Sequence, residues 1–359
     1  MKLLKTERQI ESFLGVVPLQ SVSIRITQGC NLHCLHCYAS GGTKEKNELN
    51  YSEVLELLKG LKKLGVIRIF FTGGEPFLRK DFIDILKSAD KLGFSIYLST
   101  NGTLLTEANI RQLKSIKIKR FQVSIDGVRE THDVLRGMTG AFDLAIKNIK
   151  LIRKLMPKLP MTVAMTLTRQ NQSDVQKLRK VVEDLKIDDF AIIPMITIGR
   201  GKDKNVDISS SEKLKIFQNE TRRKSNETKL SILCSPGVIP NNGSVGFGCG
   251  FVCTFPNILG IAANGDVYPC DGLIGVPKLF LGNIRQGKLE HIWQSQTMKK
   301  LRSIETDKFG GVCKNCRYLD SCAGGCRANS YISKGDFFHS DPLCQSFYDQ
   351  GLFPKGNII

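Results

Sequence analysis

Long hydrophobic runs are what this sequence most clearly lacks. The stretch from Phe13 to Leu19 follows Glu7, Arg8 and Glu11 and is broken by Pro18, which excludes a signal peptide. No other run approaches the roughly 20 apolar residues of a membrane span, so a cytoplasmic protein with no membrane partner is expected. Proline is scarce, at 12 in 359 residues, and neither an internal repeat nor a low-complexity tract is present. With 41% apolar residues the chain has material for a sizeable core, which excludes a disordered protein and suits two domains or one large domain with an appendage. His132, His291 and His339 lack metal-like spacing and read as structural or surface residues, and the one tryptophan, Trp293, is expected to pack a helix over 290–300.

Cysteine is absent between Cys37 and Cys234, and that gap makes the rest informative. Of 12 cysteines, three fall within eight residues at Cys30–Cys37 and nine lie from Cys234 onward. In a reducing compartment such grouping argues for metal rather than disulfides. Acidic residues are also short, 34 against 52 Lys and Arg, for a net charge of +18. That balance favours an acidic partner. Nucleic acid is the weaker choice, because basic and aromatic residues do not interleave in any one segment. Solvated helix faces account for the charge equally well.

From Val22 to Pro194 short β-rich runs alternate with amphipathic stretches. The expected strands are Ser23–Ile26, Ile67–Thr72, Ser95–Ser99, Phe121–Ile125, Thr162–Leu167 and Phe190–Pro194. The expected helices are Tyr51–Lys63, Phe82–Leu92, Thr106–Lys114, Phe142–Leu155 and Val175–Leu185. The later strands are apolar throughout, as in parallel strands buried on both faces. Six successive β–α units predict a parallel α/β sheet, open or part of a barrel, with its chemistry at the C-terminal strand ends. After Gly199 the character changes: a polar segment, a helix at Ser211–Lys224, then dense glycine and cysteine. Four cysteines between Cys313 and Cys326 cannot form an ordinary core, so metal is expected to hold that region together. The boundary is expected within 200–230.

Just after the first expected strand stands Cys30-Asn-Leu-His-Cys34-Leu-His-Cys37. Three thiolates at this spacing can hold three irons of a cubane and leave the fourth open, as a reactive cluster requires. A zinc site completed by His33 or His36 is the competing reading. Thr72-Gly73-Gly74-Glu75-Pro76 follows the second strand. With the CxxxCxxC upstream, this resembles the radical S-adenosylmethionine (SAM) superfamily over roughly residues 20–200. The resemblance implies a partial (β/α)6 barrel. It implies that Gly73, Gly74 and Glu75 hold the SAM amino group, the glycines letting the backbone approach closely. It further nominates Ser124 and Asp126 at the fourth strand end, and Arg136, as SAM contacts, arginine being suited to a bidentate hold on a carboxylate. Ordinary turn and cap chemistry, and a surface ion pair for Arg136, are the plain alternatives.

Farther on come Cys253-x11-Gly265-x4-Cys270, within Asn264-Gly-Asp-Val-Tyr-Pro-Cys270, then Cys313-x2-Cys316-x5-Cys322-x3-Cys326 and, after 17 more residues, Cys344. This is similar to the seven-cysteine SPASM domain of radical SAM enzymes that act on peptides and proteins; a zinc ribbon is the competing reading. Two four-thiolate clusters need an eighth ligand, and Cys249, four residues before Cys253, can share its cluster. By the family's crossing pattern Cys249, Cys253, Cys270 and Cys326 bind one cluster and Cys313, Cys316, Cys322 and Cys344 the other. Cys234 is then a free thiol. The expected domains are a 1–20 extension, a 21–225 core and a 226–359 SPASM domain. Three [4Fe–4S] clusters, with their ligands, would lower the net charge to about +13.

The activity implied is reductive cleavage of SAM to a 5′-deoxyadenosyl radical that abstracts hydrogen from an unactivated C–H bond, chemistry that side chains alone do not supply. Auxiliary clusters suggest an oxidative outcome, with a reductant such as flavodoxin or ferredoxin as partner. The leading substrate is a ribosomally made precursor peptide receiving a thioether or carbon–carbon cross-link. With about 20 residues before the first strand and 15 after Cys344, the expectation is either a separate leader-peptide-binding protein or a substrate that is not a leader-guided peptide. Anaerobic sulfatase maturation fits less well, because Thr72 stands where those enzymes carry glutamine. The runner-up is a haem-pathway oxidative decarboxylase acting on porphyrin propionates, and a non-enzymatic iron–sulfur or zinc protein comes third. Asp271, directly after Cys270, is the candidate general base; a hairpin or cap role is its plain alternative.

Overall fold

The computed structural model describes residues 18–202, 206–222, 228–232, 238, 256–303 and 306–359. Six parallel strands run in chain order: β1 (Ser21–Arg25), β2 (Arg68–Thr72), β3 (Ser95–Thr100), β4 (Ile118–Ser124), β5 (Met161–Leu167) and β6 (Asp189–Pro194). Their crossovers carry α1 (Tyr51–Lys63), α2 (Phe82–Lys91), α3 (Glu107–Leu113), α4 (Arg129–Arg136), α5 (Ala141–Leu155) and α6 (Val175–Asp184). This is the parallel α/β sheet that the alternation predicts, in the partial (β/α)6 form that the resemblance implies. Every residue of β1 is buried, in keeping with a parallel strand covered on both faces.

The helices start where local chemistry dictates. Asn50 accepts from the Glu53 N–H while the Glu53 carboxylate accepts from the Asn50 N–H, a capping box that opens α1 at the expected residue. The sequence pattern misses α4, because RETHDVLR buries only His132, Leu135 and Arg136, two of them polar. The start of β4 is hidden in the same way by Lys119 and Arg120, the latter pairing with Asp189 at 3.1 Å.

Two additions lie beyond the six units. After α7 (Ser210–Arg222), β7 (Lys229–Ile232) pairs with β6 as a further parallel strand. At the opposite edge β8 (Ile258–Ile261) pairs parallel with β1, and β9 (Asp266–Tyr268) and β10 (Gly282–Asn283) continue it antiparallel. The cysteine-rich C-terminal region therefore shares the ten-stranded sheet of the barrel. Between sheet and helices lies one continuous apolar core with Leu58, Phe71, Phe82, Phe121 and Phe190 fully buried, each contributing about 1.5–3 kcal/mol. Trp293 is also buried, in the short helix Leu289–Trp293 rather than one helix over 290–300, with Arg302 of the next helix over its ring. Among the described residues no helix is long and apolar enough to cross a membrane.

Candidate active site at the C-terminal strand ends

The loop after β1 carries Cys30, Cys34 and Cys37 and is held from three sides. The Cys30 N–H donates to the Gly42 carbonyl at 2.7 Å, and the Gly42 N–H to that of Gln28 at 3.0 Å. The end of α4 accepts the His33 N–H through Arg136 O (3.1 Å) and the Leu35 N–H through Leu135 O (2.9 Å). A Cβ on Gly137, the left-handed cap of α4, would stand 2.9 Å from the His33 carbonyl oxygen. From beyond β6, Arg200 donates its Nε to Cys34 O and its Nη1 to Gly41 O, both at 2.8 Å. Leu32, Ala141 and Met138 form an apolar shell around the thiols. Burial pushes the Cys30 thiol up to about 11 and raises Cys34 as well, Arg136 opposing the latter rise.

The Gly73–Gly74 turn is stitched to the same loop. The Gly74 N–H donates to Thr27 O and the Glu75 N–H to Gly29 O, both at 2.8 Å. A Cβ on Gly74 would lie 2.1 Å from Gly29 O, so only glycine permits this approach. The fully buried Glu75 carboxylate accepts from Thr100 Oγ1 (2.7 Å) and from the backbone N–H groups of Asn101 (2.7 Å) and Phe77 (3.1 Å). Burial raises its pKa and these bonds oppose the rise. Its side chain thus locks the turn onto the end of β3.

Cys30, Cys34, Cys37, Gly73, Gly74, Ser124 and Arg136 all line one cavity in the barrel mouth. Asp126, by contrast, is fully buried behind Arg136. Its Oδ2 lies 2.6 Å from Arg136 Nε and 3.0 Å from His36 Nε2, while its Oδ1 accepts the Thr166 N–H. Burial alone would raise the Asp126 pKa, but Arg136 and His36 hold it well below the carboxylate range. Arg136 also donates Nη1 toward Cys34 Sγ at 3.7 Å, placing a fixed cation beside the thiols. A half-open cluster fits this donor set: three thiols facing one cavity, a cation beside them and an apolar shell excluding water.

On the far wall lie Cys270, Asp271, Cys326 and Arg327. Asp271 Oδ1 accepts from Arg25 Nε at 2.9 Å and Oδ2 from the Tyr38 hydroxyl at 2.6 Å, while Arg25 stacks over the Tyr38 ring. Its surroundings are charged and hydrogen-bonding rather than apolar. Cys313, Cys322 and Cys344 lie in the C-terminal helices, where Gly311–Lys314 packs on Pro342–Asp349, and Cys316 lies between two of them in a bridge to Ile358. Among the described residues no three His, Cys, Asp or Glu side chains converge on a single ion. Cys234, Cys249 and Cys253 lie outside the described residues.

Sequence reasoning passed over Arg25, Tyr38, Arg200 and Arg327, though two signals were present. Arg25 is the one charge in an otherwise uncharged strand, and Arg200 stands between two glycines just past a strand end.

Residues 24–182 match the Radical SAM superfamily and residues 253–317 the SPASM iron-sulfur cluster-binding domain. The AdoMet-dependent heme synthase of Methanosarcina barkeri (strain Fusaro / DSM 804) is 30% identical over 342 residues, covering 90% of this chain and 95% of that protein. Mycofactocin maturase MftC of Mycolicibacterium smegmatis (strain ATCC 700084 / mc(2)155) is 27% identical over 329 residues, covering 89% and 81%. In fold the chain is similar to Streptococcus suis SuiB bound to S-adenosylmethionine, at 20% identity and a TM-score of 0.74 over 95% of this chain and 81% of that one. It is likewise similar to native anSMEcpe with bound AdoMet and Cp18Cys peptide, at 22% identity and a TM-score of 0.69 over 92% and 95%. On the match across its barrel and on a relative that it covers nearly end to end, this chain belongs to the radical SAM superfamily and carries a SPASM domain.

Proposed function

We propose that this radical SAM enzyme oxidises a C–H position of a ribosomally made peptide, forming a thioether or carbon–carbon cross-link. When bound, SAM and the cluster at Cys30, Cys34 and Cys37 supply a 5′-deoxyadenosyl radical. The chain's own residues bind and orient. Gly73 and Gly74 offer backbone to the amino group, Arg136 takes the carboxylate, and Ser124 lines the ribose side. Asp126 and Glu75 act one step back, Asp126 fixing Arg136 and Glu75 fixing the glycine turn. Asp271 is the proposed base, taking a proton from substrate once the Tyr38 hydroxyl is displaced from its Oδ2. Two auxiliary clusters, on Cys249, Cys253, Cys270 and Cys326 and on Cys313, Cys316, Cys322 and Cys344, are the proposed electron acceptors, and 226–359 is the domain that carries them.

The observation that carries the peptide reading is a second cavity beside the first. It runs between β6, the segment leading into α7 and the C-terminal helices, and shares Ile193, Pro194, Ile196 and Cys326 with the barrel cavity. Two cavities in series suit an extended chain. A second reading, oxidation of porphyrin propionates, is supported by the haem synthase relative at 30% identity.

Anaerobic reconstitution with iron and sulfide, followed by dithionite and SAM, tests the enzyme reading through 5′-deoxyadenosine release. A Cys30→Ala/Cys34→Ala/Cys37→Ala variant is expected to lose release, and its iron to fall from about twelve to about eight per chain. Faster release on adding a peptide encoded beside the gene supports the first substrate class; faster release with an iron porphyrin supports the second.

A further inference from the structure

Arg327 directly follows Cys326 and is buried at 4% exposure on the wall of the barrel cavity. Its Nη1 is spent on structure, donating to Phe337 O at 2.5 Å and His339 O at 2.8 Å. Phe309 covers one face of the guanidinium, its ring centroid 4.7 Å from Cζ. The fold makes room for this arrangement. A Cβ on Gly324, at φ +79°, would stand 2.8 Å from both Cζ and Nη2 of Arg327 and 2.2 Å from the Phe309 ring. Gly324, the first of two glycines between Cys322 and Cys326, is thus required by its positive φ, by the Phe309 ring and by the arginine.

Nε and Nη2 of this immobilised cation have no hydrogen-bond partner among the described residues. The nearby Asp341 makes no ion pair with it among the described residues; its oxygens accept the Cys326 and Leu343 N–H groups at 2.8 and 2.9 Å. Burial disfavours the charged guanidinium, and Asp341, Cys313, Cys326 and Cys322 oppose that effect. A buried cation with unpaired donors is costly unless something anionic meets it. Cys326 belongs to one of the cluster sets proposed above and Cys313 and Cys322 to the other, so Arg327 feels the thiols of both.

Resting on the two-auxiliary-cluster reading, we propose that the free edge of Arg327 hydrogen-bonds the sulfur of an auxiliary iron–sulfur cluster. It would thereby stabilise the cluster's extra negative charge on reduction and make it a better electron acceptor. Hydrogen bonds to cluster sulfur and nearby positive charge are established levers on reduction potential. Arginine suits the task because it stays charged when buried and presents its donors in a fixed plane.

The test uses the full chain carrying Cys30→Ala/Cys34→Ala/Cys37→Ala, so that only auxiliary signals remain, with electron paramagnetic resonance followed during a redox titration. Arg327→Gln is expected to keep about eight irons per chain and to move a midpoint to more negative potential, with Arg327→Lys between it and the parent. Iron lost in Arg327→Gln but retained in Arg327→Lys also supports the proposal, since the charge is then what holds the cluster. An unchanged midpoint at full iron overturns it, as does loss of iron in both variants. A parent protein that binds no iron refutes the auxiliary-cluster reading itself, before Arg327 is touched.

Discussion

Substituting Gly74 by alanine tests the joint between the glycine turn and the cysteine loop. The added methyl would lie 2.1 Å from Gly29 O, 2.6 Å from Gly29 C and 2.7 Å from Gln28 O, all backbone atoms without a rotamer to yield. Relief to the 3.0 Å that real Cβ contacts observe requires at least 0.9 Å of separation, 3.0 minus 2.1. The Glu75 N–H···O Gly29 and Gly74 N–H···O Thr27 bonds, both 2.8 Å, stretch out of range over such a displacement. Losing two bonds at about 1 kcal/mol each costs about 2 kcal/mol, a fall in Tm of about 3 °C for a chain of 359 residues at about 2.1 cal/mol/K of unfolding entropy per residue. Because the same shift moves the loop relative to the turn, 5′-deoxyadenosine release should fall about 10²-fold, the scale of a 1 Å misplacement. Gly42→Ala is the control, since its Cβ would meet nothing within 4 Å. Anaerobic thermal unfolding and a nucleoside assay on both variants decide the matter. A Gly74→Ala protein with the Tm and turnover of Gly42→Ala would refute the reasoning.

Arg25→Met leaves the Asp271 carboxylate buried with only Tyr38, and should cost about 3–5 kcal/mol in urea unfolding. The double variant with Asp271→Leu should recover much of that loss, and if it does not, the ion pair is not the cause. Glu75→Gln exchanges one carboxylate oxygen for an amide that cannot accept the Asn101 or Phe77 N–H, a loss of about 1–3 kcal/mol that should also weaken SAM binding in calorimetry. Burial holds the His132 imidazole down to about 4 from an ordinary 6.5, and its Nδ1 accepts the Asp126 N–H. Between those values the unfolded chain binds the proton and the folded one does not. Stability should therefore drop as pH falls from about 6.5 to 4, by at most about 1.4 kcal/mol per unit. His132→Gln should flatten that slope; an equal slope in the variant would assign it to other groups.

Much of the barrel was legible because its signals are local. The apolar runs of β5 and β6, the capping box of α1 and the glycines at 73 and 74 each declare themselves within a few residues. The cysteine loop was legible for the same reason, its spacing pointing to a metal and its resemblance, together with the Gly73–Gly74 turn, to the chemistry. What stayed hidden was created by contacts distant in sequence. Arg25 and Asp271 are 246 positions apart, and nothing near either announces the other. Asp126 looks like a ligand contact from its place at a strand end, and only the folded chain reveals Arg136 and His36 in front of it. The helix α4 was missed because its buried face includes a histidine and an arginine, which a hydrophobic period cannot register.

The pairing of β8 with β1 makes the barrel and the cysteine-rich region poor candidates for separation. A chain cut at 225 would leave β1 with one row of unpaired N–H and C=O groups along residues 21–24, flanked by fully buried apolar side chains. Such an edge is a template for intermolecular strand pairing. The truncated protein would be lost to aggregation before its cofactor chemistry could be measured. Modular transfer of the C-terminal region to another barrel would meet the same obstacle in reverse, since β8 carries half of an edge that only a matching first strand completes.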